Sequence, residues 1–258
     1  MLGFSDLRTK KYYRGHAMIW RGDEMAISPK LSMPTSFRKI NMKIDFVSDI
    51  ACPWCAVGLN ALEIALKRIG DDMPTTVHMR PFELNPDMAK EGVDASDYLA
   101  KKYGLSAAQL AANRANIRAR GEAVGFSFGD RNRVWNTFDA HRLLHWAGLQ
   151  DLAKQRALKH ALLRSYHGEG RNPSSPDVLV ELAQEVGLDA VAARDVLESD
   201  TYTREVREAE QFWISNGINS VPAVIINDQH LISGGQPPEV FEQALRQIAN
   251  EAQHAATS

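Results

Sequence analysis

The sequence Lys-Ile-Asp-Phe-Val-Ser-Asp-Ile-Ala-Cys-Pro-Trp-Cys at residues 43–55 decides the fold. Residues 43–48 favour a strand, and Cys52 and Cys55 follow with two residues between them. Apolar residues then recur at helical spacing up to Ile69, and Gly70 provides a helix stop. The pattern predicts a strand that delivers the cysteine pair to the start of a helix.

The rest of the chain shows three kinds of pattern. A second strand is predicted at residues 75–84, and residues 95–196 show repeated helical periodicity without a strand of normal length. Buried-strand signals return at residues 222–226 and 230–233, and a last helix is predicted after Pro237. The predicted fold class is α/β, with a mixed sheet, helices on its faces and a large all-helical insertion.

This pattern divides the chain into three parts. Residues 1–41 have no sustained period, so we expect a poorly ordered extension, with Met42 as a candidate natural start. Residues 42–90 and 200–253 are predicted to form the domain that contains the sheet. Residues 91–199 are predicted to form the helical insertion.

Charge and hydropathy exclude several classes of function. The chain has 30 basic and 32 acidic residues, a formal net charge of -2, which gives no electrostatic case for a nucleic acid or an anionic membrane as partner. No apolar run is long enough to span a membrane. Charged residues also interrupt every candidate signal core in residues 1–41, so we expect a cytoplasmic protein.

The two cysteines are expected to have a chemical role. Thiol-disulfide exchange needs one thiolate that attacks a disulfide and a second thiol within reach that resolves the mixed disulfide. A helix start places unpaired N–H groups and a partial positive charge near Cys52, which favours its thiolate. We therefore predict that Cys52 attacks and that Cys55 resolves.

Other interpretations of the cysteine pair are weaker. A structural zinc site needs four ligands, and the chain has no second cysteine pair. His141 and His145 have helical spacing, but Arg142 stands where a metalloprotease has glutamate, which favours a packed or solvated helix face. A purely structural disulfide across so short a loop would gain little loop-closure entropy. We therefore expect no metal and no cofactor.

Two interpretations are open for several residues near the cysteines. Asp45 and Asp49 flank the cysteines and are candidates for a general base that accepts a proton from Cys55, although solvated or capping roles are common for such residues. Trp54 can contact substrate or pack over the helix. The segment at residues 166–172 is interpreted as a polar loop between helices, and Gly234-Gly235 as a turn.

Three motifs together resemble a known family. Ser48-Asp49 leads into the cysteine motif, Val221-Pro222-Ala223 lies far downstream, and Ile-Ser-Gly-Gly-Gln-Pro follows at residues 232–237. They resemble the FrnE-like branch of the DsbA-related thiol-disulfide oxidoreductases, over roughly residues 43–253. The resemblance implies a thioredoxin-like fold with a helical insertion, which agrees with the block predicted above.

The resemblance also implies roles for individual residues. It makes Cys52 the nucleophile, Cys55 the resolving cysteine and Pro222 a cis proline that faces the pair. Residues 136–142 resemble a family stretch near the cleft. The candidate substrate-binding residues are Pro53, Trp54, Val221 and Pro222.

We therefore expect an oxidoreductase that exchanges disulfides with proteins or small thiols, with glutathione among the candidates. One alternative is a glutathione-dependent isomerase of the 2-hydroxychromene-2-carboxylate type, although such relatives have serine in place of Cys52. Another is a redox-sensitive chaperone or binding protein. The direction of the reaction, the physiological substrate and the oligomeric state are not specified by these residues.

Overall fold

The computed structural model describes residues 41–257. The expectation of a poorly ordered extension at residues 1–41 therefore lies outside the described residues, apart from Asn41. The division of the chain at residues 91 and 199 stays a prediction. Within the described range, no helix is long and apolar enough to cross a membrane.

A four-stranded mixed sheet forms the centre of the part predicted at residues 42–90 and 200–253. Its order is β2-β1-β5-β6; β1 is parallel to β2, β5 is antiparallel to β1, and β6 is antiparallel to β5. Helix α1 connects the two parallel strands, as a parallel pair requires. The bounds are β1 Met42–Ser48, α1 Pro53–Ile69, β2 Thr75–Pro81, β5 Ala223–Ile226 and β6 His230–Ser233.

Helices cover both faces of this sheet because the strand residues alternate in direction. On one face, Ile44 and Val224 pack in a core with α1 and with helix α9, Pro238–Thr257. On the other face, Val47 and Ile225 pack against Trp213 of helix α8, Thr203–Ser215. The α/β fold class with a thioredoxin-like sheet, predicted from the sequence, is confirmed.

The segment between β2 and β5 is helical, as predicted, with one small addition. Val93–Asp94 (β3) pairs with Arg133–Val134 (β4) in a two-residue antiparallel ladder. The helices are α2 Ala95–Tyr103, α3 Ala107–Glu122, α4 Phe138–Gln150, α5 Leu152–Leu163, α6 Pro176–Glu185, α7 Ala190–Glu198 and α8 Thr203–Ser215.

One loop prediction was wrong. The segment at residues 166–172 begins inside a π-helical turn, Arg164–Gly168, which continues α5. Tyr166 and His167 are buried in this turn, and Tyr166 packs in the core of the helical segment with Ile50. The glycines and charged residues that follow Tyr166 and His167 dominate the composition of this stretch. Only they have the character of a polar loop.

Gln155 of α5 attaches the helical segment to the edge of the sheet. β2 is an edge strand, and its Met79 N–H donates to Gln155 Oε1 at 3.1 Å. The Gln155 amide also donates to the carbonyls of Met79, at 3.4 Å, and Leu144, at 3.0 Å. This side chain completes the hydrogen bonding that a further strand would supply, and it therefore covers the exposed edge.

We predict that Gln155→Leu lowers the free energy of unfolding by about 2 to 4 kcal/mol, because it leaves buried groups of Met79 and Leu144 without partners. Urea unfolding followed by circular dichroism measures the change. The control Gln150→Leu, at an exposed position on α4, should stay within about 0.5 kcal/mol of wild type. Equal losses in the two variants would contradict this role of Gln155.

Candidate active site

The cysteine pair lies where the end of β1 meets the start of α1. Cys52 is the N-cap of α1 and Pro53 occupies the first helical turn, where its missing N–H costs no hydrogen bond. Cys52 is 4% exposed, whereas Cys55 is fully buried. Both are free thiols. The sequence thus predicted correctly that a strand delivers these cysteines to a helix start.

Val221 and Pro222 lie against Cys52 although they are far away in sequence. The peptide bond between Val221 and Pro222 is cis, and the Cys52 thiol donates to the Val221 carbonyl at 3.4 Å. Strand β5 begins one residue after Pro222. The predicted cis bond and its position opposite Cys52 are both confirmed.

Close packing between α1 and Pro222 depends on a glycine. A Cβ atom on Gly58 would lie 2.9 Å from Pro222 Cγ and 3.3 Å from the Cα atom of Gly235. Such a contact is too short, so a side chain at position 58 would push the helix away from the proline. Gly58 therefore lets α1 approach the segments on which the cysteine turn rests.

The two thiols have pKa values shifted in opposite directions. A hydrogen bond from the Cys55 thiol lowers the pKa of Cys52, and the backbone N–H groups of Cys55 and Trp54 add to this effect, against burial and the charge of Asp49. Burial raises the pKa of Cys55 well above its usual value, and the neighbouring Cys52 raises it further. The thiolate therefore forms first on Cys52.

Asp49 holds the site together through its carboxylate. One oxygen accepts from Ala51 N–H at 3.0 Å, the Thr137 hydroxyl at 2.8 Å and His141 Nε2 at 3.4 Å, and the other accepts from Leu84 N–H at 2.7 Å. Burial acts to raise the pKa of Asp49, but hydrogen bonds from His141 and the backbone outweigh it and lower the pKa. A carboxylate saturated by donors is a poor proton acceptor, which disfavours the general-base role considered for Asp49.

The other residues flagged near the site have structural contacts. Asp45 pairs with Arg80 at 2.5 Å and with Lys43 at 3.0 Å. These ion pairs engage its carboxylate and disfavour the general-base role that was also considered for Asp49. The ring of His145 lies 5.1 Å from that of Tyr202. Residues 41–254 contain no cluster of three or more His, Cys, Asp or Glu side chains that could hold a metal ion.

Trp54 has both of the roles considered for it. Its side chain packs against the core beneath α1 and also lines the cavity described below. A Cβ atom on Gly235 would lie 3.0 Å from the Trp54 carbonyl oxygen, so the Gly234-Gly235 turn must pass close to it. Arg120 of α3 donates to the Gly235 carbonyl at 3.2 Å, which ties the helical segment to this turn.

Two buried basic residues of the helical segment, Lys159 and His167, were not predicted to be part of the site. Lys159 of α5 is 1% exposed; burial lowers its pKa, while Cys55, Asp49 and Cys52 act in the opposite direction. Its charge in turn favours the thiolate of Cys55. No local motif marks this lysine, because its position depends on how α5 packs on the sheet.

His167 supports the turn before Cys52 through a hydrogen bond to its backbone. Its Nε2 lies 2.8 Å from the Ile50 carbonyl oxygen, a contact in which the ring must donate. Burial lowers the pKa of His167 to about 3, and the charge of Arg131 contributes to this effect. The ring is therefore neutral at physiological pH.

A cavity of about 560 Å³ lies beside Cys52. One wall is formed by Cys52, Pro53 and Trp54, and the facing wall by α2, α3 and the loop that precedes β4. Arg131 of that loop donates to the Ala51 carbonyl at 3.1 Å and to the Tyr166 hydroxyl at 3.3 Å. The helical segment thus forms part of the site as well as its support.

A family model described as the DSBA-like thioredoxin domain matches residues 43–246. The chain belongs to this family. The DsbA-related family predicted from the sequence is thereby confirmed, while its FrnE-like branch stays a prediction.

Three proteins show the degree of similarity. A crystal structure of a probable DsbA oxidoreductase from Streptomyces coelicolor is 38% identical, with a TM-score of 0.75 over 80% of this chain and 89% of that chain. The uncharacterized protein YwbO of Bacillus subtilis is 29% identical over 209 residues, 80% of this chain and 96% of YwbO. The cytosolic disulfide reductase DsbM from Pseudomonas aeruginosa, solved with GSH, shares the fold at 18% identity, with a TM-score of 0.56 over 81% of this chain and 99% of DsbM.

The pKa order in this DsbA-like site has a direct test. We predict that iodoacetamide modifies Cys52 of the reduced protein at lower pH than Cys55, because the pKa of Cys52 is lowered and that of Cys55 is raised. Mass spectrometry of peptides from protein alkylated at a series of pH values measures both profiles. Unfolded protein serves as the control, since both cysteines should then react alike. Coinciding profiles in the folded protein would overturn the assigned order.

His167 makes a second prediction about pH. Its folded pKa lies below its unfolded value of about 6.5, so the unfolded chain binds the proton first and stability is lost as the pH falls from 6.5 toward 3. We expect His167→Gln to flatten this fall by up to about 1.4 kcal/mol per pH unit. Urea unfolding between pH 4 and 7 measures the slope.

The control for this prediction is Phe128→Leu, which alters a ring 5.7 Å from that of His167 without removing a titratable group. It should lower stability at every pH and keep the wild-type slope. A wild-type slope in His167→Gln would show that other groups cause the acid sensitivity.

Proposed function

We propose that this chain is a thiol-disulfide oxidoreductase in which Cys52 is the nucleophile and Cys55 is the resolving cysteine. The observation that carries the proposal is the position of Cys52, at a helix N-terminus, on the wall of a cavity and 3.4 Å from the carbonyl of Val221. Cys55 lies behind it, fully buried. Membership in the DSBA-like family supports disulfide chemistry on this pair.

The reaction is two successive exchanges. The Cys52 thiolate attacks one sulfur of a substrate disulfide, a mixed disulfide forms, and the other substrate sulfur leaves as a thiolate. Cys55 then loses its proton and attacks the Cys52 sulfur, which releases the second substrate thiolate. Two electrons pass from the dithiol to the substrate, and Cys52 and Cys55 end as a disulfide. Oxidation of a substrate dithiol runs through the same steps in reverse.

Pro53, Trp54, Val221 and Pro222 are proposed to position substrate at the Cys52 sulfur. Cys52 already donates to the Val221 carbonyl, so this backbone group lies within reach of anything bound to the sulfur. Trp54 presents an apolar surface on the cavity wall. Neutral His167 and saturated Asp49 hold the turn that carries Cys52 without taking up its proton.

The alternatives differ from this proposal in what they require of the cysteines. A glutathione-dependent isomerase would not need a second thiol next to the first, whereas a redox-sensitive chaperone would differ by keeping its binding activity without turnover of disulfides. A resolving cysteine must lie within reach of the first sulfur, and the Cys55 thiol is hydrogen-bonded to Cys52. We also propose a cytoplasmic location, which the likeness of the fold to a cytosolic reductase supports.

We predict that Cys52→Ser abolishes the reduction of a small disulfide, and that Cys55→Ser stops after one exchange with the substrate held on Cys52. In the second variant no thiol is present to resolve the mixed disulfide. Intact-mass spectrometry after incubation with a disulfide measures the adduct. The variant that lacks both cysteines is the control and should carry none. An adduct on Cys55 in Cys52→Ser, with none on Cys52 in Cys55→Ser, would reverse the roles.

A further inference from the structure

The cavity beside Cys52 carries more positive charge than the chain as a whole. Four lysine and arginine side chains line it: Lys102 of α2, Arg114 and Arg118 of α3, and Arg131 of the following loop. The single carboxylate in the lining, Asp130, pairs with Arg118 at 2.6 Å. The whole chain has a formal charge of -2, so this concentration of cations is a local feature.

Three of these cations meet neutral oxygens. Lys102 donates to the Asn85 amide oxygen at 2.6 Å and to the Leu84 carbonyl at 3.0 Å, and Arg114 donates to the Ser96 hydroxyl at 2.8 Å. Arg131 donates to a carbonyl and a tyrosine hydroxyl, as described above. Across the part of the chain that the structure describes, no carboxylate forms a salt bridge with any of the three.

The position of Cys52 limits how a substrate reaches it. Only 4% of Cys52 is exposed, and the residue lies on the cavity wall, so a disulfide must enter the cavity to meet its sulfur. The volume of about 560 Å³ falls in the range of small-molecule sites, about 300 to 1,000 Å³. A small disulfide fits this access better than a disulfide on the surface of a folded protein.

We infer that the cavity selects small disulfides that carry carboxylate groups, which Lys102, Arg114 and Arg131 bind while Cys52 attacks the sulfur. This inference rests on the proposed function and names its substrate class. Guanidinium groups bind carboxylates through paired hydrogen bonds, and a cleft lined by one sign of charge concentrates ions of the opposite sign. Apolar residues such as Leu110 and Ile117 line the same space and can contact the aliphatic part of such a molecule.

Three disulfides of one linear frame test the inference. The probes are 3,3′-dithiodipropionate, which is anionic, bis(2-hydroxyethyl) disulfide, which is neutral, and cystamine, which is cationic. The second-order rate of oxidation of the reduced protein is measured by quenched alkylation. Each rate is divided by that of the same disulfide with dithiothreitol, which removes differences in intrinsic reactivity. We expect the order anionic, neutral, cationic, and a smaller spread at high salt.

The paired variant Lys102→Gln with Arg114→Gln should reduce the ratio of anionic to neutral rates roughly tenfold, as loss of two charge-assisted contacts implies. The control is Arg246→Gln, which removes a cation on α9 outside this cavity, and it should keep the wild-type ratio. If the paired variant only damages the structure, all three rates should fall together and the ratio of anionic to neutral rates should stay at its wild-type value. That result would overturn the binding role of Lys102 and Arg114.

Each failure has a separate signature. Turnover of all three disulfides without a charge order overturns this inference and leaves the proposed function standing. No reaction with any disulfide overturns both. Faster normalised oxidation by an acidic peptide disulfide or by insulin than by dithiodipropionate would replace the small-molecule substrate with a macromolecular one.

Discussion

Three segments that are distant in sequence meet at the buried carboxylate of Asp49. It accepts hydrogen bonds from the turn before Cys52, from the segment after β2 and from the start of α4. A buried charge is costly unless donors surround it, and here each donor also fixes a backbone segment of the site. The cysteine turn, the edge of the cavity and the helical segment are therefore placed relative to one another by this interaction. An amide in its place would turn an N–H group toward Leu84 N–H or, in the other orientation, toward the groups that donate to the other oxygen, Ala51 N–H among them.

The same carboxylate creates an electrostatic conflict that the rest of the site resolves. Its negative charge acts against a thiolate on Cys52. The Cys55 thiol and the N–H groups at the start of α1 outweigh this effect, so the pKa of Cys52 is still lowered. Lys159, when protonated, supplies a buried positive charge on the side of Cys55, whose thiolate is required in the second exchange proposed above. The difference between the two pKa values thus comes from the hydrogen bond between the thiols, the N–H groups at the start of α1 and the burial of Cys55, while Asp49 and Lys159 act against it.

The sequence predicted local features well and tertiary contacts poorly. The strand, the cysteine pair and α1 follow one another without interruption, so periodicity and the glycine stop at Gly70 were sufficient. The meeting of Pro222 with Cys52 came from the family resemblance, since no local pattern joins residues so far apart. Lys159 and His167 were missed because a lysine or histidine on a helix is usually exposed or half-buried, and only packing shows otherwise. The wrong loop at residues 166–172 has the same origin: its glycines and charges outweighed two residues that the π turn directs into the core.

The residues that we propose to select the substrate lie away from the cysteine motif. Cys52 is almost completely covered, and the groups that face it across the cavity are placed to contact any molecule bound there. Those groups lie on α2, α3 and the loop that contains Arg131, all of which belong to the helical segment. At 18% identity, the fold that this chain shares with DsbM includes the positions of the sheet and the helices but does not specify the side chains of that wall. Proteins that share the motif and the cis proline can therefore differ in substrate through this wall alone, while the exchange chemistry at Cys52 stays the same.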